Sequence, residues 1–184
     1  MAMTGPIDWE QLARNFGLLS EGGEAGSSDD ARRALEVIIG ESALRDSVEY
    51  YIAGGPGSEL ARHVLWQLRP QSAMNHCYEI FKSSRPIYER RMAVELVRVV
   101  ADRRALPWIK EFLTDPDVGI QLWGVGLLDQ LLFSRLVEPL DAESPLTMAE
   151  AHSSNGVVET ALFIRGFLRA RAEAEAGTEG TGNA

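Results

Sequence analysis

The sequence predicts an all-α fold, an α-solenoid of about four helix pairs with an N-terminal and a C-terminal capping helix. Three observations lead there. Apolar residues recur at helical spacing along nearly the whole chain, and no alternating run or hairpin signal competes with them. Breaks fall at GGPG (54–57), at Pro70 and near Asp102, each separating two helix-length segments. Four segments also repeat: RALEVII, RHVLWQL, RMAVELV and QLWGVGLL align on Arg33, Arg62, Arg91 and Gln121, at intervals of 29, 29 and 30 residues. Two positions after each anchor stand Leu35, Val64, Ala93 and Trp123; six positions after stand Ile39, Leu68, Val97 and Leu127. That i, i+4 relation puts both apolar positions on one helical face. Helix pairs of this period bury such a face by stacking on their neighbours.

Taken in order, residues 1–19 read as a capping helix, with Pro6 in the first turn and Trp9, Leu12, Ala13 and Phe16 at helical spacing. SEGGEAGSS, 20–28, reads as a flexible linker. The repeat domain spans 29–139. Ser28, Asp29 and Asp30 offer caps for ARRALEVII, and ESALRDSVEYYIA follows with Leu44, Val48, Tyr51 and Ile52 on one face. SELARHVLWQL and SAMNHCYEIFK make a second pair, and PIYERRMAVELVRVV and RRALPWIKEFL a third. DPDVGIQLWGVGLLDQLLF, 115–133, opens the fourth, with Asp115 as N-cap and Pro116 in the first helical position. Residues 140–176 hold a loop, VEPLDAESPL continuing into it, and a capping helix over NGVVETALFIRGFLRARAEAEA; 177–184 read as a disordered tail.

Composition narrows the chemistry. The chain of 184 residues suits one domain, and its net charge is −9. Residues 111–160 carry nine acidic groups against Arg135 alone, while 85–110 form a local basic strip. Nucleic-acid affinity rests on phosphate neutralisation, so this balance argues against DNA or RNA and favours a protein partner with a basic surface. One cysteine, Cys77, excludes an internal disulfide and a cysteine-built zinc site. MAMTGPIDWEQ lacks the regions of a secretory signal, and no apolar run reaches membrane-spanning length, so a cytoplasmic protein is expected. The excess of Arg over Lys, with abundant Ala and Gly, points to a GC-rich bacterial genome.

No motif points to catalysis. Gly119 and Gly124 have the spacing of a phosphate loop, but Val125 and Gly126 follow where a Lys and a Ser or Thr are required. These glycines are expected to serve helix packing. His63, His76 and His152 lack the ligand pairs of a metal site, and Cys77 points away from His76 on a helix. No cofactor, metal or small-molecule substrate is indicated. The doublets at 32–33, 90–91 and 103–104 raise nucleic acid as an alternative, with Glu36, Glu95 and Asp102 near enough in sequence to pair them locally.

RRMAVELVRVVADRRALPWIKEFLTDPDVGIQLWGVGLLDQL resembles the short bacterial form of the HEAT repeat, closely over about 90–130 and more loosely over 28–85. Arg91 and Ala93, Ala105-Leu106-Pro107, and Asp115 and Asp117 carry the likeness, while Gln121 stands where the pattern has an Arg. The resemblance implies that second helices at 41–53, 71–83 and 103–114 line a concave face offering Tyr50, Glu79, Trp108 and Glu111. Asp115, Asp117 and Asp129 add acidic groups to this protein-binding set. It implies a non-catalytic binding module, most concretely an immunity protein that neutralises a bacterial toxin such as a basic nuclease. The alternatives are a HEAT-like DNA glycosylase, a chromophore lyase, or a scaffold subunit.

Overall fold

The computed structural model describes residues 6–20, 23–24 and 27–179. Among these the chain is all-helical: ten α-helices, one 3-10 turn and a two-residue antiparallel pairing. It divides into two compact units, Met1–Val100 and Ala101–Ala184.

The first unit holds α1 (Trp9–Asn15), a minimal ladder of β1 (Leu19–Ser20) with β2 (Gly23–Glu24), and then α2 (Ser28–Ile39), α3 (Glu41–Ala53), α4 (Ser58–Leu68), α5 (Gln71–Lys82) and α6 (Ile87–Val100). The ladder replaces part of the expected linker at 20–28; residues 21–22 and 25–26 of that linker lie outside the described residues. Pro6 precedes α1 rather than starting it, and Asp8 caps the helix by accepting from the Gln11 N–H at 2.9 Å. The cap of α2 is Ser27, one residue ahead of the expected set. Its hydroxyl accepts from the Asp30 N–H while Asp30 accepts from the Ser27 N–H, a reciprocal box that satisfies two first-turn donors. Gly40, at φ +88°, is the single residue between α2 and α3, a left-handed turn that a side chain would strain.

α3 packs on α4, α5 and α6, and α5 lies along α6. Leu44, Val48 and Ile52 of α3, Leu65 of α4, Met74, Cys77 and Ile80 of α5, and Val94, Leu96 and Val97 of α6 make the core. Burial along the repeated face is graded. Ala93, Val97 and Leu127 are fully buried, whereas Leu35 is 43% and Val64 42% exposed. None of the side chains of α2 is buried, although α2 packs on α3 and α4. Periodicity marks which side of a helix is apolar; it does not supply a neighbour to cover it.

The N-terminus of α5 shows how the helices lock. Pro70 occupies its cap position and has no side chain to accept a hydrogen bond. The Glu36 carboxylate of α2 does so instead, taking the Gln71 N–H at 3.1 Å and the Ser72 N–H at 2.8 Å. Glu36 thus caps a helix 35 residues away rather than pairing with Arg33.

The second unit holds the 3-10 turn Arg103–Ala105, α7 (Trp108–Thr114), α8 (Val118–Phe133), α9 (Glu143–Glu150) and α10 (Asn155–Glu179). α8 packs on α7, α9 and α10. Three boundaries differ from expectation. Asp117, not Asp115, caps α8 by accepting from the Ile120 N–H at 3.0 Å; Pro116 stays outside the helix, and buried Asp115 accepts from the Asp117 N–H at 2.9 Å. Residues expected in a loop form α9, because Pro145 falls within the first turn, where no N–H is needed. α10 runs three residues past 176; residues 180–184 of the expected tail, like residues 1–5, lie outside the described residues.

The glycines of α8 lie in a helix, not a loop. A Cβ built on Gly124 would sit 2.6 Å from Phe112 Cβ and 3.6 Å from the Phe112 carbonyl carbon, so this position sets how closely α8 approaches α7. Gly124→Ala is expected to destabilise by about 1–3 kcal/mol through overpacking. Gly166→Ala, with nothing within 4 Å of the added methyl, is expected to stabilise by about 0.5–1 kcal/mol through helix propensity. Urea unfolding of the two variants beside the parent checks both signs.

Candidate functional site

The densest polar arrangement lies on α3, α5 and the start of α6, within the first unit. Helical spacing assembles it: Arg45 and Glu49 are four apart on α3, His76 and Glu79 three apart on α5, and Arg85 and Glu89 four apart. Arg85 grips Glu49 with both terminal nitrogens, at 2.7 and 2.8 Å. Arg45 grips Glu79 the same way, at 2.5 and 3.4 Å, and also reaches Glu41 at 3.5 Å. Between the two pairs stands the nearly buried His76 ring, with Nε2 2.7 Å from Glu49 and Nδ1 3.3 Å from Glu79. The Arg85 hydrogen bonds hold the Glu49 carboxyl below the usual carboxylate range, against a partial desolvation, and His76 adds to the effect. The Arg45 hydrogen bonds do the same for Glu79, again against desolvation. Two-pronged pairs of this kind fix the rotamers of both partners.

A second, more buried cluster joins α3, α4 and α6. Glu95 of α6 is only 6% exposed. Its carboxylate accepts from the Tyr51 hydroxyl at 2.7 Å and from Arg62 Nη2 at 2.8 Å, and Arg98 Nη2 stands 3.6 Å away. Burial, followed by the Glu95 hydrogen bond and charge, pushes the Tyr51 phenol well up. Burial likewise pushes the Cys77 thiol up, so the residue that sequence reading set aside as a nucleophile is an inert core group.

The sequence-derived binding residues fall in different places. Glu79 is exposed and belongs to the charged face. Tyr50 is 48% exposed, but its hydroxyl donates to the Pro56 carbonyl and pins the GGPG turn. Trp108 and Glu111 lie half-buried on α7, Asp115 and Asp117 order the start of α8, and Asp129 is half-buried on α8. Tyr50 and Glu79 therefore belong to the first unit and the other five to the second. Arg45, Glu49, His76 and Arg85 were missed, although their spacing to Glu79 and Glu89 was visible in the sequence. Gln121, which replaces the expected arginine, donates its side-chain amide to the Asp115 carbonyl at 2.8 Å, supplying a tie at the same junction.

His152 is structural: Nε2 donates to the Leu113 carbonyl at 3.0 Å, and Nδ1 accepts from the Ser154 N–H at 3.0 Å. Of the local arginine pairings, Asp102 with Arg104 forms, and Glu95 is held most closely by Arg62 from α4. Among the described residues no group of three or more His, Cys, Asp or Glu is placed to hold a metal ion, and no helix is long and apolar enough to cross a membrane.

Glu95→Gln is expected to cost about 3 kcal/mol, because it leaves Arg62 in a desolvated site without its counter-charge; Tyr51→Phe should cost only about 1 kcal/mol, the worth of one hydrogen bond. Chemical denaturation of the two variants tests that order. The lowered Glu49 and Glu79 values carry a definite sign. Their contribution is complete above the ordinary carboxylate pKa of about 4.3 and is lost as pH falls through the lower folded values. Urea midpoints should therefore drop between pH 6 and pH 3, and Glu49→Gln should flatten the drop.

No family model, curated protein or solved structure matches the chain, so the arrangement of these side chains is what bears on function.

Proposed function

We propose that the chain is a non-catalytic protein-binding module whose helix pairs stack as a HEAT-like solenoid, and that its partner presents a basic surface. The most concrete form is a cytoplasmic bacterial immunity protein that neutralises a toxin, with a basic nuclease as the natural case. The observation that carries this reading is the charged face of α3 and α5. Glu41, Glu49 and Glu79 stand there with their side chains anchored by Arg45 and Arg85. Carboxylates already held in one geometry lose less conformational freedom when a cationic partner docks. The −9 net charge supports the same reading, since it steers a basic partner toward the molecule and speeds encounter more than it adds affinity.

The reading is tested by purifying the protein from its native host, identifying the partner that stays bound, and asking whether the chain suppresses that partner's toxicity when the two are co-expressed. Glu41→Lys with Glu79→Lys is expected to weaken the complex by roughly tenfold or more, mainly through a slower association that high salt mimics. A failure to co-purify any partner, or a complex indifferent to both charge reversal and salt, would overturn the proposal. A retarded DNA band at low salt would favour the glycosylase alternative instead.

A further inference from the structure

The second unit contains a cleft of about 380 Å³ between the 3-10 turn at Arg103–Ala105 and the segment that leaves α8. Three arginines line it, Arg103, Arg104 and Arg135, in the half of the chain that is otherwise acidic. Leu106, Pro107 and Val137 supply an apolar wall beside them. The volume is in the range of small-ligand sites, at or above roughly 300 Å³.

The arginines are not equivalent. Arg104 is committed to Asp102 through a two-pronged pair. Arg103 is exposed, and no described carboxylate lies within ion-pair distance of it. Arg135 has one contact, to Glu175 at 3.6 Å, and Glu175 is held more closely by Arg171 at 2.9 Å. Arg103 and Arg135, both on the cleft lining, therefore spend few of their N–H donors on the described carboxylates.

The backbone at Arg135 is unusual for an arginine. α8 ends in a six-to-one closure, with the Leu136 N–H donating to the Leu131 carbonyl at 2.9 Å and the Arg135 N–H to the Leu132 carbonyl at 3.1 Å. Arg135 takes the left-handed position of that closure at φ +54°, where glycine is the favoured residue. Glycine there would cap the helix with less strain and would put no cation at the cleft.

We propose that this cleft binds a small organic anion, a phosphate monoester or carboxylate carried on an apolar body. Arg103 and Arg135 hold the anionic group, whose oxygens match the planar guanidinium fork. Leu106, Pro107 and Val137 cover the apolar part. Glu138 and Asp141, also on the lining, oppose an extended polyanion and so disfavour nucleic acid.

The test is calorimetric titration of the full chain with phenyl phosphate, benzoate, inorganic phosphate and a short single-stranded oligonucleotide, at low salt. Phenyl phosphate or benzoate is expected to saturate a single site, with inorganic phosphate weaker by about tenfold because it lacks the apolar body. Arg103→Gln and Arg135→Gly are each expected to weaken binding about tenfold, the scale of one lost charge-assisted contact. Arg135→Gly should do so without lowering the melting temperature, which separates lost recognition from lost folding. No saturable binding in the millimolar range, equal binding of inorganic and phenyl phosphate, unchanged affinity in both variants, or tighter binding of the oligonucleotide would each overturn the proposal.

Discussion

A carboxylate buried without a partner is among the most destabilising groups a core can hold, and Glu95 is the point around which the first unit is organised. It lies on α6 but takes a hydroxyl from α3 and a guanidinium from α4. Three helices are thereby held in one register, since a shift of any of them leaves a desolvated charge or hydroxyl unsatisfied. Hydrophobic contacts among Val48, Leu65 and Val97 supply attraction without direction. The Glu95 cluster supplies the direction.

The charged face shares α3 with that cluster and adds α5 and the residues leading into α6. Glu49 is two residues before Tyr51 on α3, and Arg85 enters just ahead of the helix that bears Glu95. Glu49 meets both His76 of α5 and Arg85 at hydrogen-bonding distance. The Glu36 cap on α5 fixes the same helix at its other end. A face held at several points offers its carboxylates at constant spacing, the property that the proposed docking of a basic partner requires.

The second unit uses a different device. Gly124 lets α8 approach Phe112 of α7 so closely that no side chain fits between. Of the glycines in DPDVGIQLWGVG, Gly124 thus serves packing, as expected. Its acidic residues Asp115 and Asp117 order the turn, and Gln121 ties back to it.

By itself, the sequence determined the helices and most of their limits, because apolar periodicity, glycines and prolines act locally. GGPG, Pro70 and Asp102 mark breaks that the structure keeps. Misplacements are also local in kind: VEPLDAESPL, expected as a loop, holds Pro145 in a first turn, and Asp115 and Asp117 are equally good caps by composition. Tertiary structure alone decided which charges meet. Glu36 has Arg32 and Arg33 three or four residues away, yet it caps α5 from 35 residues off; Glu95 has Arg98 at 3.6 Å, yet its closest partners, Arg62 and Tyr51, lie 33 and 44 residues off. At the protein surface a local ion pair is worth little and is easily given up. A buried acceptor or an open helix end is costly to leave unmet, so long-range geometry overrides the nearest neighbour in sequence.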